Sequence, residues 1–246
     1  MYFLFSGEGP TDLGSGHSGQ EIHEHLVGHF EPGPLAHVID QIVEDARGFS
    51  PLETLHCGFV SETSLSRRKV ELNPLKKSPI LPGVKRQKET AYFYNDARIF
   101  ARFAREKSSV LKQEEVVAVL FRDADGTASA ARGSWAAKHQ SMLKGFADEQ
   151  WSRGVPMLAN PKLEAWLLCA LQDNPYQECR KWEDASGNDR SPNALKPLLE
   201  QRLGLPISRE RLCELVVDRT IDHAKLDMPS FNAFREDLHR AIHPAV

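Results

Sequence analysis

The stretch EVVAVLFRDADGT, Glu115 to Thr127, decides the fold. Val116 to Leu120 are apolar and mostly β-branched, Phe121 extends them, and charge bounds the run on both sides. That pattern predicts a strand buried on both faces, as in a parallel sheet covered by helices. Its carboxyl end delivers Asp123 and Asp125, one residue apart, into the crevice where open α/β sheets place their sites. Two carboxylates that close repel unless a proton or a cation lies between them, and a divalent ion answers that need. The plain alternative is an Asx-rich turn that does no more than end the strand.

Composition bounds the rest. The 246 residues suffice for one large or two small domains. With 41% hydrophobic and 26% charged residues the chain is of ordinary globular type, and a net charge of −3 does not announce a nucleic-acid binder, so charge has to be read locally. The cysteines, Cys57, Cys169, Cys179 and Cys213, show no CxxC pair or zinc-finger spacing. Cys169, in an apolar run, reads as a buried thiol, which fits a reducing compartment. The amino terminus reads as a strand rather than a signal peptide, and no segment has the length to span a bilayer. A cytoplasmic location is the expectation.

Working outward, Tyr2 to Ser6 predicts a short strand that runs into Gly7-Glu8-Gly9-Pro10-Thr11-Asp12. Glycines there let the backbone turn and let a ligand approach, so Glu8, and Asp12 four residues on, stand at a strand end as Asp123 does. Gly14 to Gly19 matches GxGxxG but lies past the strand and lacks the following strand-borne acid, so residues 13–32 read as a mobile loop. His23, His25 and His29 read as solvated loop residues rather than a zinc set. A helix is predicted from Pro34 to Arg47, closed by Gly48, and a strand within 55–60. A basic segment follows: Arg67, Arg68, Lys69, Lys76, Lys77, Lys85, Arg86 and Lys88 surround a single acid, Glu71, among prolines. A long basic loop suits a phosphodiester backbone; the bland reading is a solvated loop.

A helix over 89–108 carries an apolar side and, on another face, Arg98, Arg102 and Arg105, which extend the basic surface or form its wet side. Another is predicted over 132–149, with His139 as a structural histidine. A strand at 155–158 then leads into Asn160-Pro161-Lys162-Leu163-Glu164-Ala165-Trp166, placing Glu164 in a helical first turn near the acids. After Leu171 the chain turns polar, and helices are predicted near 194–203, 209–216 and 229–242.

Four acidic positions therefore converge at predicted strand ends: Glu8, Asp123, Asp125, and Asp12 or Glu164. Hard oxygen donors suit Mg2+ or Mn2+, and two such ions roughly 4 Å apart can drive phosphodiester displacement. The pattern of strand–Gly-Glu-Gly–Thr-Asp, then strand–Asp-Ala-Asp, resembles the Toprim domain shared by topoisomerases, primases and OLD-type nucleases. The Pro161-Lys162-Leu163-Glu164-Ala165-Trp166 element is similar to a Pro-x-x-Glu-x-Trp motif of small stand-alone Toprim proteins. The resemblance implies a Toprim/Rossmann-like, mainly parallel sheet flanked by helices over residues 1–171, with a basic insertion at about 61–88 and a helical C-terminal extension over 172–246. It implies catalytic roles for Glu8, Asp123, Asp125 and Lys162. It implies metal ligation by Glu8, Asp12, Asp123, Asp125 and Glu164, with Mg2+ or Mn2+, two ions, as cofactor. Nucleic acid, DNA or RNA, would be the substrate, guided by Arg67, Arg68, Lys69, Lys85, Arg86 and Lys88. The chain lacks an ATPase motif, so a partner ATPase and a role in bacterial antiviral defence are further implications. Two departures stand out: Glu8 and Asp123 are far apart for a minimal Toprim domain, and the tail is unassigned.

Two other readings compete. Asp123-Ala124-Asp125-Gly126-Thr127 fits the DxDGT signature of HAD-type phosphatases, with Asp123 as nucleophile, but the signature arrives midway and leaves Glu8 unexplained. A metal-binding regulatory module without turnover is the second, since fold does not fix function.

Overall fold

The computed structural model describes residues 1–9, 11–72, 85–112, 114–124, 134–173 and 179–243, with backbone only for Leu72 and 85–89. Strand β1, Tyr2–Ser6, is buried at all five positions, and β6, Val116–Asp123, is buried up to its last residue. They pair in parallel, Tyr2 beside Val116 and Ser6 beside Leu120. With β5 (Cys57–Phe59) and β7 (Gly154–Ala159), also parallel, and β3 (His23–Glu24), antiparallel at one edge, they form a five-stranded sheet of order β3-β5-β1-β6-β7. The fold is α/β, a mainly parallel sheet flanked by helices, as the buried apolar strands predict.

Alternation along the strands sorts the core into two clusters. Phe3, Phe5, Val117, Val119, Phe121, Val155 and Met157 face helices α1 (Pro34–Arg47), α5 (Leu163–Ala170), α7 (Leu195–Leu203), α8 (Arg209–Val217) and α9 (Pro229–Ile242). Tyr2, Leu4, Val116, Ala118 and Leu120 face α2 (Glu62–Leu72), α3 (Lys85–Val110) and α4 (Trp135–Asp148). Helix α1 follows the predicted bounds: Pro34 occupies its first turn, and Gly48, at φ 70°, closes it by donating to Glu44 O. The crossover after β1 covers one face and leads to β5. The crossover after β5 covers the other face and returns past β1 to β6. The strand order thus reverses between β1 and β6, the position where doubly wound sheets open a crevice at their carboxyl ends.

Three expectations change. Residues 13–32 are not a loose loop: β2 (Gly14–Gly16) pairs antiparallel with β4 (Phe30–Pro32), and β3 joins the main sheet. Gly14 has φ 122°, and a Cβ there would stand 2.2 Å from Glu31 O, so this tight ribbon demands glycine. His23 is buried with Nδ1 accepting from Ser18 N at 3.2 Å, so it is not solvated, and half-buried His25 has Nδ1 3.0 Å from Phe30 O. Arg67 to Lys69 lie on α2 rather than in a loop, while Lys76 and Lys77 lie outside the described residues.

The third concerns cysteine. Cys169, in the last turn of α5, forms a disulfide with Cys179, which precedes α6 (Arg180–Glu183), at a Cα–Cα distance of 5.1 Å. The reading of Cys169 as a free thiol is corrected, and the expectation of a reducing compartment loses that support. Return of the chain from α5 to α6 brings the pair together, which spacing in the sequence does not reveal. The polar segment after Leu171 contains α6, and Leu195, Leu199, Leu212, Val216, Phe231 and Phe234 share one apolar cluster with β1, β6 and α1. Glu183 accepts from Ser230 N at 2.7 Å in the first turn of α9, and Ser230 Oγ accepts from Trp166 Nε1 at 2.8 Å, joining this segment to α5. Gln41 of α1 donates to Val216 O at 2.6 Å and to Ile221 O at 3.2 Å. Among the described residues no helix is long and apolar enough to cross a membrane.

Candidate functional site at the carboxyl edge of the sheet

Acidic side chains occupy the ends of three adjacent strands. Glu8 lies two residues past β1, Asp123 ends β6, and Glu164 stands in the first turn of α5, which follows β7 through a cis Asn160–Pro161 bond. Asp12 Oδ2 accepts from Gly9 N at 2.8 Å, which ties this carboxylate to the segment that carries Glu8. Asp123 Oδ1 accepts from Leu163 N, the first amide of α5, at 3.0 Å. A helix amino terminus favours a carboxylate there, so β6 and α5 are joined at the site by charge as well as packing.

Asp12 reports the electrostatics. Burial, reinforced by the charge of Glu164, pushes its carboxyl up to about 6, against the opposing pull of the Gly9 and Glu8 amides and of Arg122. Glu8 Oε1 stands 3.7 Å from Arg122 Nε, and its side chain is 36% exposed. Arg122 itself is wholly buried: its alternation on β6 turns it to the α3 side, where Asp96 Oδ2 accepts from Nε at 3.1 Å and from Nη2 at 2.7 Å. Lys69 pairs with the other oxygen of Asp96. Tyr92 lies beside both cations, 5.8 Å from Arg122 and 5.0 Å from Lys69, and burial drives its hydroxyl well above the usual range.

The remaining predicted residues fall as follows. Asp125 lies outside the described residues, as do the side chains of Lys85, Arg86 and Lys88. Lys162 caps α5 and its Nζ donates to Asp189 Oδ1 at 2.9 Å. On α2, Arg68 contacts Glu21 and Glu106 and covers the Phe103 ring at 4.6 Å; Arg67 is 3.4 Å from Glu21 and remains 56% exposed. Lys69 points inward to Asp96, so α2 presents less free positive charge than the sequence suggests. The arginine stripe of α3 behaves likewise: Arg98 and Arg102 donate to Glu149 Oε1 at 2.7 Å and 2.9 Å, and Arg105 lies 3.7 Å from Oε2. The stripe fastens α3 to the end of α4. His139 is structural as expected, 2.7 Å from Asp237.

Sequence reading missed Arg122, Asp96 and Lys138. Each leaves the same trace, a charge at a position that the local period makes buried. Arg122 continues the alternation of β6, Asp96 sits between Phe93 and Phe100 on the apolar side of α3, and Lys138 follows Trp135 by three. Charges are almost never fully buried unless paired, so such positions mark ion pairs or sites.

The donor set is all carboxylate, which fits a hard cation such as Mg2+ or Mn2+ and not zinc. Among the described residues no three His, Cys, Asp or Glu side chains are gathered closely enough to hold an ion. Fit therefore rests on the donor chemistry of these residues. Comparison with family models, curated proteins and solved structures returns no match.

Proposed function

We propose that the chain is a metal-dependent phosphodiester hydrolase of the Toprim type, acting on DNA or RNA. Glu8, Asp12, Asp123, Asp125 and Glu164 would hold Mg2+ or Mn2+. The observation that supports the reading is one of placement: Glu8 follows β1, Asp123 ends β6 and Glu164 opens the helix after β7, all on the sheet edge where the strand order reverses. A bound divalent ion supplies Lewis-acid polarisation of the phosphate and a more acidic water. The residues of the chain orient it. The Leu163 amide aims Asp123, and Arg122, held from behind by Asp96, fixes Glu8 at the mouth. Lys162 flanks the same helix start and would meet a phosphate once released from Asp189. Arg67, the most exposed of the α2 cations, would lead the nucleic-acid backbone inward with Lys85, Arg86 and Lys88. A partner supplying ATPase action, and antiviral defence as the setting, remain implications of the family resemblance.

The test is a cleavage assay on plasmid DNA, single-stranded DNA and tRNA with Mg2+ or Mn2+, run beside Glu8→Ala and Asp123→Ala. Cleavage that needs the ion and is lost in both variants is the expected result. Hydrolysis of small phosphate esters that survives Glu8→Ala would replace this reading with the DxDGT phosphatase. Saturable ion binding without turnover on any substrate would replace it with a regulatory module.

A further inference from the structure

Lys138 lies in the first turns of α4, only 2% exposed, and its Nζ donates to the carbonyl of Ala124 at 2.6 Å. The Phe93 ring is 5.5 Å from the ammonium. Ala124 follows Asp123 directly, and its own N–H donates to Ala159 O at 2.9 Å, so β7 holds one side of this peptide unit while Lys138 holds the next carbonyl. Trp135 Nε1 donates to Leu158 O at 2.9 Å, and Ser134 Oγ caps the same helix by accepting from Ala137 N at 3.3 Å. The start of α4 is thus bolted to the ends of β6 and β7 at the candidate site.

Burying an ammonium costs several kcal/mol, and an alkyl chain would fill the space beside Phe93 without that cost. We propose that Lys138 is a positioning residue for the ion site: by fixing the backbone after β6 it holds Asp123 in the ligating direction. The inference rests on the metal-site reading above. It assigns Lys138 to the backbone of the site, not to the phosphate.

Mn2+ titration, followed by electron paramagnetic resonance and calorimetry, tests it on the full chain with Lys138→Met, Lys138→Gln and Asp123→Asn. Wild type is expected to bind saturably and Asp123→Asn to lose binding. Lys138→Met should weaken Mn2+ by about 10–100-fold, the usual effect of removing an outer partner of a ligand, at a melting temperature near that of wild type. Lys138→Gln, which keeps an N–H donor, should weaken it less. Wild-type binding with unchanged or tighter affinity in folded Lys138→Met overturns the inference alone, because the ammonium would then act only by repelling the ion. If Lys138→Met does not fold, unchanged or tighter binding by Lys138→Leu, which also lacks a donor, overturns it equally. A wild type that binds no Mn2+ overturns both this inference and the metal reading.

Discussion

Arg122 and Asp96 meet as a fully buried ion pair behind the carboxyl edge of the sheet, with 2.7 Å between Nη2 and Oδ2 and no exposure of either side chain. Losing one partner strands the other charge in the core. Asp96→Ala is expected to cost about 3–5 kcal/mol, measured as the loss in unfolding free energy in urea. Lys69→Met, whose partner remains paired with Arg122, should cost clearly less. Equal costs would show that Asp96 is held by Lys69 rather than by Arg122.

Asp123→Asn separates ligation from structure. Asparagine keeps an oxygen for the Leu163 amide, so the joint between β6 and α5 survives. The expected outcome is near-wild-type melting with an ion affinity reduced at least as far as an outer-partner deletion, roughly 100-fold. A large fall in melting temperature would mean that Asp123 serves mainly the fold.

Reduction of Cys169–Cys179 frees a loop of ten residues. Loop-closure entropy for that length is roughly 2–3 kcal/mol. Thermal unfolding with and without dithiothreitol, and of Cys179→Ser, should differ from the oxidised protein by that order. No change under reduction would show that the packing of Trp182 and the Glu183–Ser230 bonds suffices.

Asp45 sets an acid-side dependence. Arg219 first, then His223, hold its carboxyl down at about 2, from 3.8. Because the folded value is depressed, the stabilisation is complete above about pH 4 and is lost as pH falls toward about 2. The group is 45% exposed, so screening limits the effect to less than about 1 kcal/mol. Asp45→Asn should flatten the stability profile between those pH values, and high salt should shrink the difference. An unaltered profile would dismiss this pair as an anchor of the C-terminal helices on α1.

Gly145 permits the close approach of α4 to α3. A Cβ there would stand 2.4 Å from Tyr94 O and 2.8 Å from Ala97 Cβ. Gly145→Ala gains helix propensity yet should destabilise by about 1–3 kcal/mol through overpacking, read from denaturant midpoints. A stabilised variant would mean the helices separate readily.

What could be read in advance follows from period. β1, β6, α1 and the C-terminal helices announce themselves because an apolar face repeats along one element, and each matches within a few residues. The positions of Glu8, Asp123 and Glu164 at element ends were legible because each stands at or just past the boundary of such an element. Residues 13–32 were not, because their ribbon is set by contacts of Gly14 and Gly16 with partners across the turn. The fates of Arg68, Lys69 and Arg98 were not, because the acids that meet them, Glu21, Glu106, Asp96 and Glu149, come from elsewhere in the chain. The pairing of Cys169 with Cys179 depends likewise on where two helices end.

The central position of β1 has a consequence for biosynthesis. Its neighbour β6 emerges from the ribosome only after more than half of the β1-to-α5 region has been made, and of the helices that cover Phe3 and Phe5 only α1 precedes it, while α5, α7, α8 and α9 come later still. Pairing between such distant segments is slow, and the first strand must stay in solution, or in the care of a chaperone, until then. Glu8 therefore acquires its neighbours late in synthesis, so a truncated nascent chain has no assembled crevice.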